Sequence, residues 1–209
     1  MDTTIIAAPS STKNEDNVRD PEMHRAKKDN QRHFKMKAHI GVDAESALLH
    51  TVVGTAADVN DVTQAGMLLH GNVTAAQGDA GYRGVHKREE EQEPYWHAAM
   101  QPGKRRQLDL TRRWAQLLEQ AKQLKASIRA KVEHPFHVIK NLFRHKKVRY
   151  RGLAKNAAQL FSPFGLANLV IAKRSLLALH AKVRLERVEQ PRRGRKPSSN
   201  TVAQPAEKT

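Results

Sequence analysis

The sequence predicts an α/β fold, a mixed sheet flanked by helices, and two patterns carry that prediction. In the first hundred residues, short β-branched or alternating apolar runs are separated by Gly, Pro, Asn and Asp, which is the mark of strands and turns. Beyond residue 110 the apolar spacing changes to three and four, the period of helices packed by one face. The chain has 209 residues, enough for one core with tails.

The run from Asp2 to Ala7 is β-branched and reads as a first strand, stopped by Pro9. Residues 10–32 are polar and charged without periodicity and read as loop or partly disordered chain. Phe34, Met36, Ala38 and Ile40 alternate with Lys35, Lys37 and His39, a half-buried strand with one basic face. A turn at 41–46 leads to a returning strand over 48–55, completing an antiparallel hairpin. Asp58, Asn60 and Asp61 offer N-caps for a helix over about 62–69.

A short buried strand over 73–78 ends in Gly78-Asp79-Ala80-Gly81-Tyr82, a tight turn. A short charged helix over 85–91 and one more strand over 95–100 follow. Pro102 and Gly103 then break the chain before the basic elbow Lys104-Arg105-Arg106. A long helix spans about 111–143, with Trp114, Leu117, Ala121, Leu124, Ile128, Val132, Phe136, Ile139 and Phe143 on one stripe. On this pattern Trp114 belongs to the core, and Pro135 predicts a kink, or an end and restart, near His134. Residues 144–151 form a basic loop with Lys147, Arg149 and Arg151. A last helix over 153–186 carries Leu153, Ala157, Leu160, Phe164, Ala167 and Ile171 on one face, with Pro163 as a kink site. From residue 188 the chain is rich in Pro, Arg and Ser and is expected to be disordered. The expected organisation is one domain over 1–187 and a basic tail over 188–209.

Composition narrows the function. Lys and Arg number 37 against 21 Asp and Glu, a net charge of +16, which favours a polyanionic partner: nucleic acid or an acidic membrane surface. There is no cysteine, which excludes disulfides and thiolate metal sites and fits a reducing compartment. No signal peptide is evident, and the most apolar window, 157–172, holds Gln159, Ser162, Pro163 and Asn168 and is too short to span a bilayer. No internal repeat is visible.

Three acids stand out together. On a helical wheel Arg129 and Lys140 fall within about 40° of Glu133, beside the apolar stripe. Asp2 opens the first strand, and Asp79 stands at the exit of a later one. A sheet of this kind would bring all three together, and hard dications take such oxygen ligands. Two ions about 4 Å apart can activate a nucleophile and stabilise a leaving oxygen at phosphorus. Taken singly, Asp2 is a terminal residue, Asp79 a turn former, and Glu133 half of a surface ion pair with Arg129. Asp43 reads as a hairpin-turn acid rather than a fourth ligand, and His134 and His137 lack the further ligands of a zinc site. Tyr82 either stacks on an unpaired end base or packs in the core. Pro191 to Pro197 resembles a minor-groove hook with one extra Lys, or a solvated tail adding salt-sensitive affinity.

From Asp2 to about Leu177 the chain resembles bacterial insertion-sequence transposases of the DDE class, in the group named for insertion sequence five. The resemblance is dense at DTTIIAAPSSTKN, DPEMH, MKAHIGVD, LLHTVVGTAADVNDVTQ, LLHG, GDAGYRG, PGKRR, KASIRAKVEHPF and KVRYRGLAKNAAQL, in the family's order. It implies a ribonuclease H-like fold with Asp2, Asp79 and Glu133 as the catalytic, metal-binding triad, holding Mg²⁺ or, as a substitute, Mn²⁺. Arg129, Glu133 and Lys140 match the family spacing of Arg, three residues, Glu, six residues, Lys. The implied activity is metal-assisted cleavage at element ends, freeing a 3′-hydroxyl that attacks target DNA. Double-stranded DNA is the implied partner, bound by a homo-oligomer in the cytoplasm, at the bacterial nucleoid. Arg129 and Lys140 are expected at flanking phosphates, and Lys104, Arg105, Arg106, Lys147, Arg149 and Arg151 elsewhere on the DNA.

The chain departs from the family pattern in several places. Ala126 stands where related families often have an aromatic. Asp29, Arg32 and Lys35 stand where Gly, Trp and Gly are usual, and Gln101 replaces a frequent Arg. The helical region that normally precedes the first Asp is absent from the sequence. The chain therefore reads as an N-terminally truncated copy, and the alternative to an active transposase is an inactive remnant that only binds DNA.

Overall fold

A computed structural model describes residues 1–13, 17–28, 31–71, 73–87, 94–99, 103 and 106–189. The chain divides into two compact units, residues 1–173 and 174–209, and the core and candidate site lie in the first. Among the described residues six strands and two long helices organise the chain: β1 (Asp2–Ala7), β2 (His24–Lys28), β3 (Gln31–Val42), β4 (Leu49–Ala56), β5 (Ala75–Gly78), β6 (Tyr95–Ala98), α1 (Arg113–His137) and α2 (Leu153–Glu189).

β3 is the central ribbon. β1 runs antiparallel along it from Asp2 opposite Ile40 to Ala7 opposite Lys35. β4 lies antiparallel too, with Met36 opposite Ala56 and a bulge at Gly41/Val42. Lys35 is paired with Ala7 on one edge and His24 on the other, so β2 and β4 follow each other along the edge that faces away from β1. β5 and β6 form a separate parallel pair. The Met1 nitrogen donates to Gln77 O at 2.6 Å and ties the head of β1 to β5. The α/β class expected from the sequence is observed, with antiparallel and parallel pairings.

Strand β2 lies in a stretch expected to be loop. His24 to Lys28 has no apolar alternation, and its pairing with β3 supplies the order that its sequence does not. The same stretch also caps α2. Asp20 Oδ2 accepts from Gly152 N at 2.7 Å, and Glu22 accepts from Leu153 N, satisfying donors that begin the helix. Met23, next to Glu22, is buried in the core.

The core gathers Ile6, Met36, Ala38, Ile40, Val132, Phe136, Ile139, Leu160, Phe164 and Ala167, joining one face of the sheet to α1 and α2. The helical face Leu160, Phe164, Ala167, Ile171 is buried as its spacing predicts. Phe136 and Phe164 meet edge to face with centroids 6.1 Å apart. The other face of β3 departs from expectation: Lys35 and His39 are fully buried, not an exposed basic surface, and Lys37 on the same face donates to Val59 O in the chain that follows β4.

The stripe on α1 is buried only in part. Val132, Pro135 and Phe136 are buried, but Trp114 is 56% exposed and Leu124 70%, so Trp114 is not a core residue. Helical periodicity marks a face; it does not say how far the sheet beneath it extends. The expected break at His134 does not occur. α1 runs through Pro135 and then widens into a π turn at Val138–Leu142, where an extra residue re-aims the chain. α2 is likewise continuous through Pro163. The helix expected over 62–69 is two 3₁₀ turns, Asp61–Gln64 and Gly66–Leu68, with Asn60 as the expected N-cap. Of the charged helix expected over 85–91, Val85–Lys87 is a 3₁₀ turn and the rest lies outside the described residues. Lys104, Arg105 and the basic tail from 190 lie outside the described residues. In the second unit the helix continues to Glu189 with Leu176, Leu177 and Leu179 exposed. Among the described residues no helix is long and apolar enough to cross a membrane.

Phe164→Ala should lower the unfolding free energy by about 3–5 kcal/mol through the cavity it leaves. Leu169→Ala, on the exposed side of the same helix, should change it by no more than about 0.5 kcal/mol. Urea denaturation of both variants checks the assigned face.

Candidate metal and DNA site

Strand alternation sends Asp2, Thr4 and Ile6 to the face that α1 covers. Asp2 is 9% exposed, and its Oδ1 accepts the backbone N–H of Thr3 at 2.8 Å. Lys140, on the π turn, donates to Thr4 Oγ1 and so reaches the same face of β1. Gln77, the partner of Met1, stands two residues before Asp79, so the β1–β5 contact brings these acids into one neighbourhood. Asp79 caps the turn Ala80–Tyr82, its Oδ1 accepting from Gly81 N at 2.8 Å.

The charges of this neighbourhood act on one another. Burial raises the Asp2 pKa above the ordinary carboxylate value, Asp79 and Glu133 raise it further, and Arg129 and the Thr3 N–H oppose them. Arg129 Nη2 is 3.5 Å from Glu133 Oε1, and the buried Arg129 Nε–H meets no hydrogen-bond acceptor among the described residues.

The donor set fits a hard dication: all three acids offer oxygen, and the buried Asp2 charge sits among like charges with one opposing guanidinium. Among the described residues no three His, Asp or Glu side chains converge tightly enough to hold a single ion.

The other expected residues fall out as follows. Asp43 is a turn acid, accepting from Ser46 N at 2.7 Å and Ser46 Oγ at 2.6 Å. Tyr82 is fully buried with its hydroxyl on Thr3, so its ring is not free to stack on a base. His134 and His137 stack on each other, and His137 pairs with Asn141. Lys147, Arg149 and Arg151 are exposed, but Ala7 bridges to Lys147. At about 3.3 Å per residue that places Lys147 roughly 16 Å along β1 from Asp2. Arg106 is exposed at the foot of α1.

Asp61 is a residue the sequence reading used only as a cap. Its Oδ1 is 3.0 Å from Lys37 Nζ, and its Oδ2 and Asp79 Oδ1 lie 2.8 and 3.0 Å from where a Cβ on Gly81 would stand. Any side chain at 81 would strike both carboxylates, which explains the glycine. Gly78 has a similar cause: its missing Cβ makes room for the Tyr82 ring.

Residues 1–169 match the family model described as the transposase DDE domain, and the chain belongs to that family. Membership makes it a transposase-type enzyme by descent, of a kind that works on DNA. No solved structure matches the chain.

Burial lowers the His39 pKa to about 4, with Asp61 opposing and Lys37 reinforcing. The unfolded imidazole binds its proton near the ordinary value of about 6.5, so His39 contributes stability that is complete above that pH and lost as pH falls toward about 4. Urea midpoints measured across this window should fall with acidification, and His39→Gln, though less stable at neutral pH, should show a flatter profile.

Proposed function

We propose that the chain is the catalytic core of an insertion-sequence transposase, with a ribonuclease H-like fold in which β4, β3 and β1 form one sheet and β5 and β6 a separate parallel pair tied to it through Met1 and Gln77. On this reading Asp2, Asp79 and Glu133 hold Mg²⁺ or Mn²⁺ for cleavage and strand transfer at the ends of the element. The observation that carries the proposal is the shared electrostatic neighbourhood of Asp2, Asp79, Arg129 and Glu133, gathered from three distant parts of the chain. Bound dications would supply charge stabilisation at phosphorus and an activated oxygen nucleophile. Arg129, whose side chain is partly exposed, would hold a phosphate oxygen of the DNA beside the acids. Lys140, fixed on Thr4, adds positive charge on the same face of β1. The net charge of +16 steers the polyanion in, with Arg106, Lys147, Arg149 and Arg151 as outlying contacts. A homo-oligomer assembled on DNA at the nucleoid is part of this reading.

A second reading is a DNA-binding remnant that does not cut, favoured by the lack of three convergent ligands among the described residues. It calls for binding with a steep salt dependence and no cleavage with any metal. The two part on one assay. With Mg²⁺ and duplexes carrying the element's ends, the parent chain should nick DNA, and Glu133→Gln should lower the rate by on the order of 100-fold or more. Equal cutting by parent and variant removes Glu133 from the site; no cutting by the parent leaves the remnant reading.

A further inference from the structure

On the face of β1 opposite Asp2, a chain of buried hydroxyl and imidazole groups joins three strands to the Asp79 turn. Thr3 Oγ1 is 2.9 Å from His39 Nδ1 and 3.1 Å from the Tyr82 hydroxyl. His39 Nε2 is 2.7 Å from Thr55 Oγ1, which donates to Ala56 O at 3.2 Å. One proton arrangement satisfies every contact. The Thr55 proton is committed to Ala56 O, so Thr55 Oγ1 accepts from His39 Nε2–H. His39 Nδ1 then carries a lone pair and accepts from Thr3, which in turn accepts from Tyr82. Asp61 Oδ1, 3.7 Å from His39 Nδ1, is too far to take a hydrogen bond and is occupied by Lys37 at 3.0 Å.

We propose that Thr3 and Tyr82 are positioning residues: their hydroxyl pair sets the separation of Asp2 from Asp79 by locking the residue after Asp2 to the turn that Asp79 caps. The inference rests on the reading of Asp2, Asp79 and Glu133 as cation ligands. Tyr82 is held at both ends. Its amide donates to Asp79 O at 3.2 Å, and its ring fills the space a side chain at Gly78 would need. A slide of β1 against the turn would strip the Tyr82 hydroxyl of its partner inside the protein, where an unmade hydrogen bond is costly. Asp61, anchored by Lys37, closes on Gly81 from the other side and limits the turn's freedom in the same direction. Shared dications require their carboxylates held to about 0.5 Å, and a buried, fully satisfied polar chain provides such a constraint.

The test is Mn²⁺ titration of the full 209-residue chain followed by electron paramagnetic resonance of the free ion, for the parent, T3V, T3S, Y82F and E133Q. T3V and Y82F should weaken Mn²⁺ binding by about 10-fold, while T3S, which restores the hydroxyl, should bind like the parent. Y82F keeps the ring and its packing, so a loss there reports the hydroxyl rather than the fold. Parent-like affinity in T3V and Y82F, with affinity lost in E133Q, overturns the positioning role and leaves the reading of the site standing. Parent-like affinity in E133Q as well, or no binding by the parent, overturns both.

Discussion

β1 is held along both its edges, and the candidate site exists only because of that. Six residues pair with β3 on one side, and the Met1 nitrogen meets Gln77 on the other. Without the first contact Asp2 would not face α1; without the second, Asp79 would belong to an unrelated part of the molecule. A period of two then assigns each side chain a job. Asp2, Thr4 and Ile6 look toward α1, where they meet charge, Lys140 and core in turn. Thr3 looks the other way, into the buried imidazole and phenol. A one-residue slip would exchange the two sets and abolish site and support together.

The acids make the domain less stable than a core of the same size need be. Asp2 is nearly buried among like charges, opposed by the Thr3 N–H and by Arg129. Folding tolerates this because the surrounding frame is over-determined. Asp20 and Glu22 cap α2, Asn168 bonds both the N–H and the C=O of Leu49, and Asn156 bonds the backbone of Arg149, Tyr150 and Gly152. On the proposed reading, sequence-independent attraction from the basic surface would bring DNA near, and the acids with Arg129 would act at one phosphate.

Much of this was legible in the sequence. Alternation located β1, β3 and β4, and a 3.6-residue period located the buried faces at Val132 to Ile139 and Leu160 to Ile171. The grouping of Arg129, Glu133 and Lys140 was readable on a wheel, though the π turn, which no spacing announces, is what carries Lys140 to Thr4. What was not legible depended on distant partners. β2 is a run of basic residues whose order comes from β3, and Trp114 sits on an apolar stripe yet is more than half exposed. Lys35 and His39 look like a solvated face because cationic residues usually are. The role of Asp61 was hidden for the same reason: its partners, Lys37 and Gly81, are 24 residues before it and 20 after.

The central claim, that Asp2, Asp79 and Glu133 share one cation-binding locality, can be tested without any DNA. Fe²⁺ substituted for Mg²⁺ generates hydroxyl radicals beside the bound ion, which cut nearby backbone. The account predicts three clusters of cuts, near Asp2, near Asp79 and near Glu133, all suppressed by excess Mg²⁺. Cuts confined to one of these segments, or falling elsewhere in the chain, would contradict it.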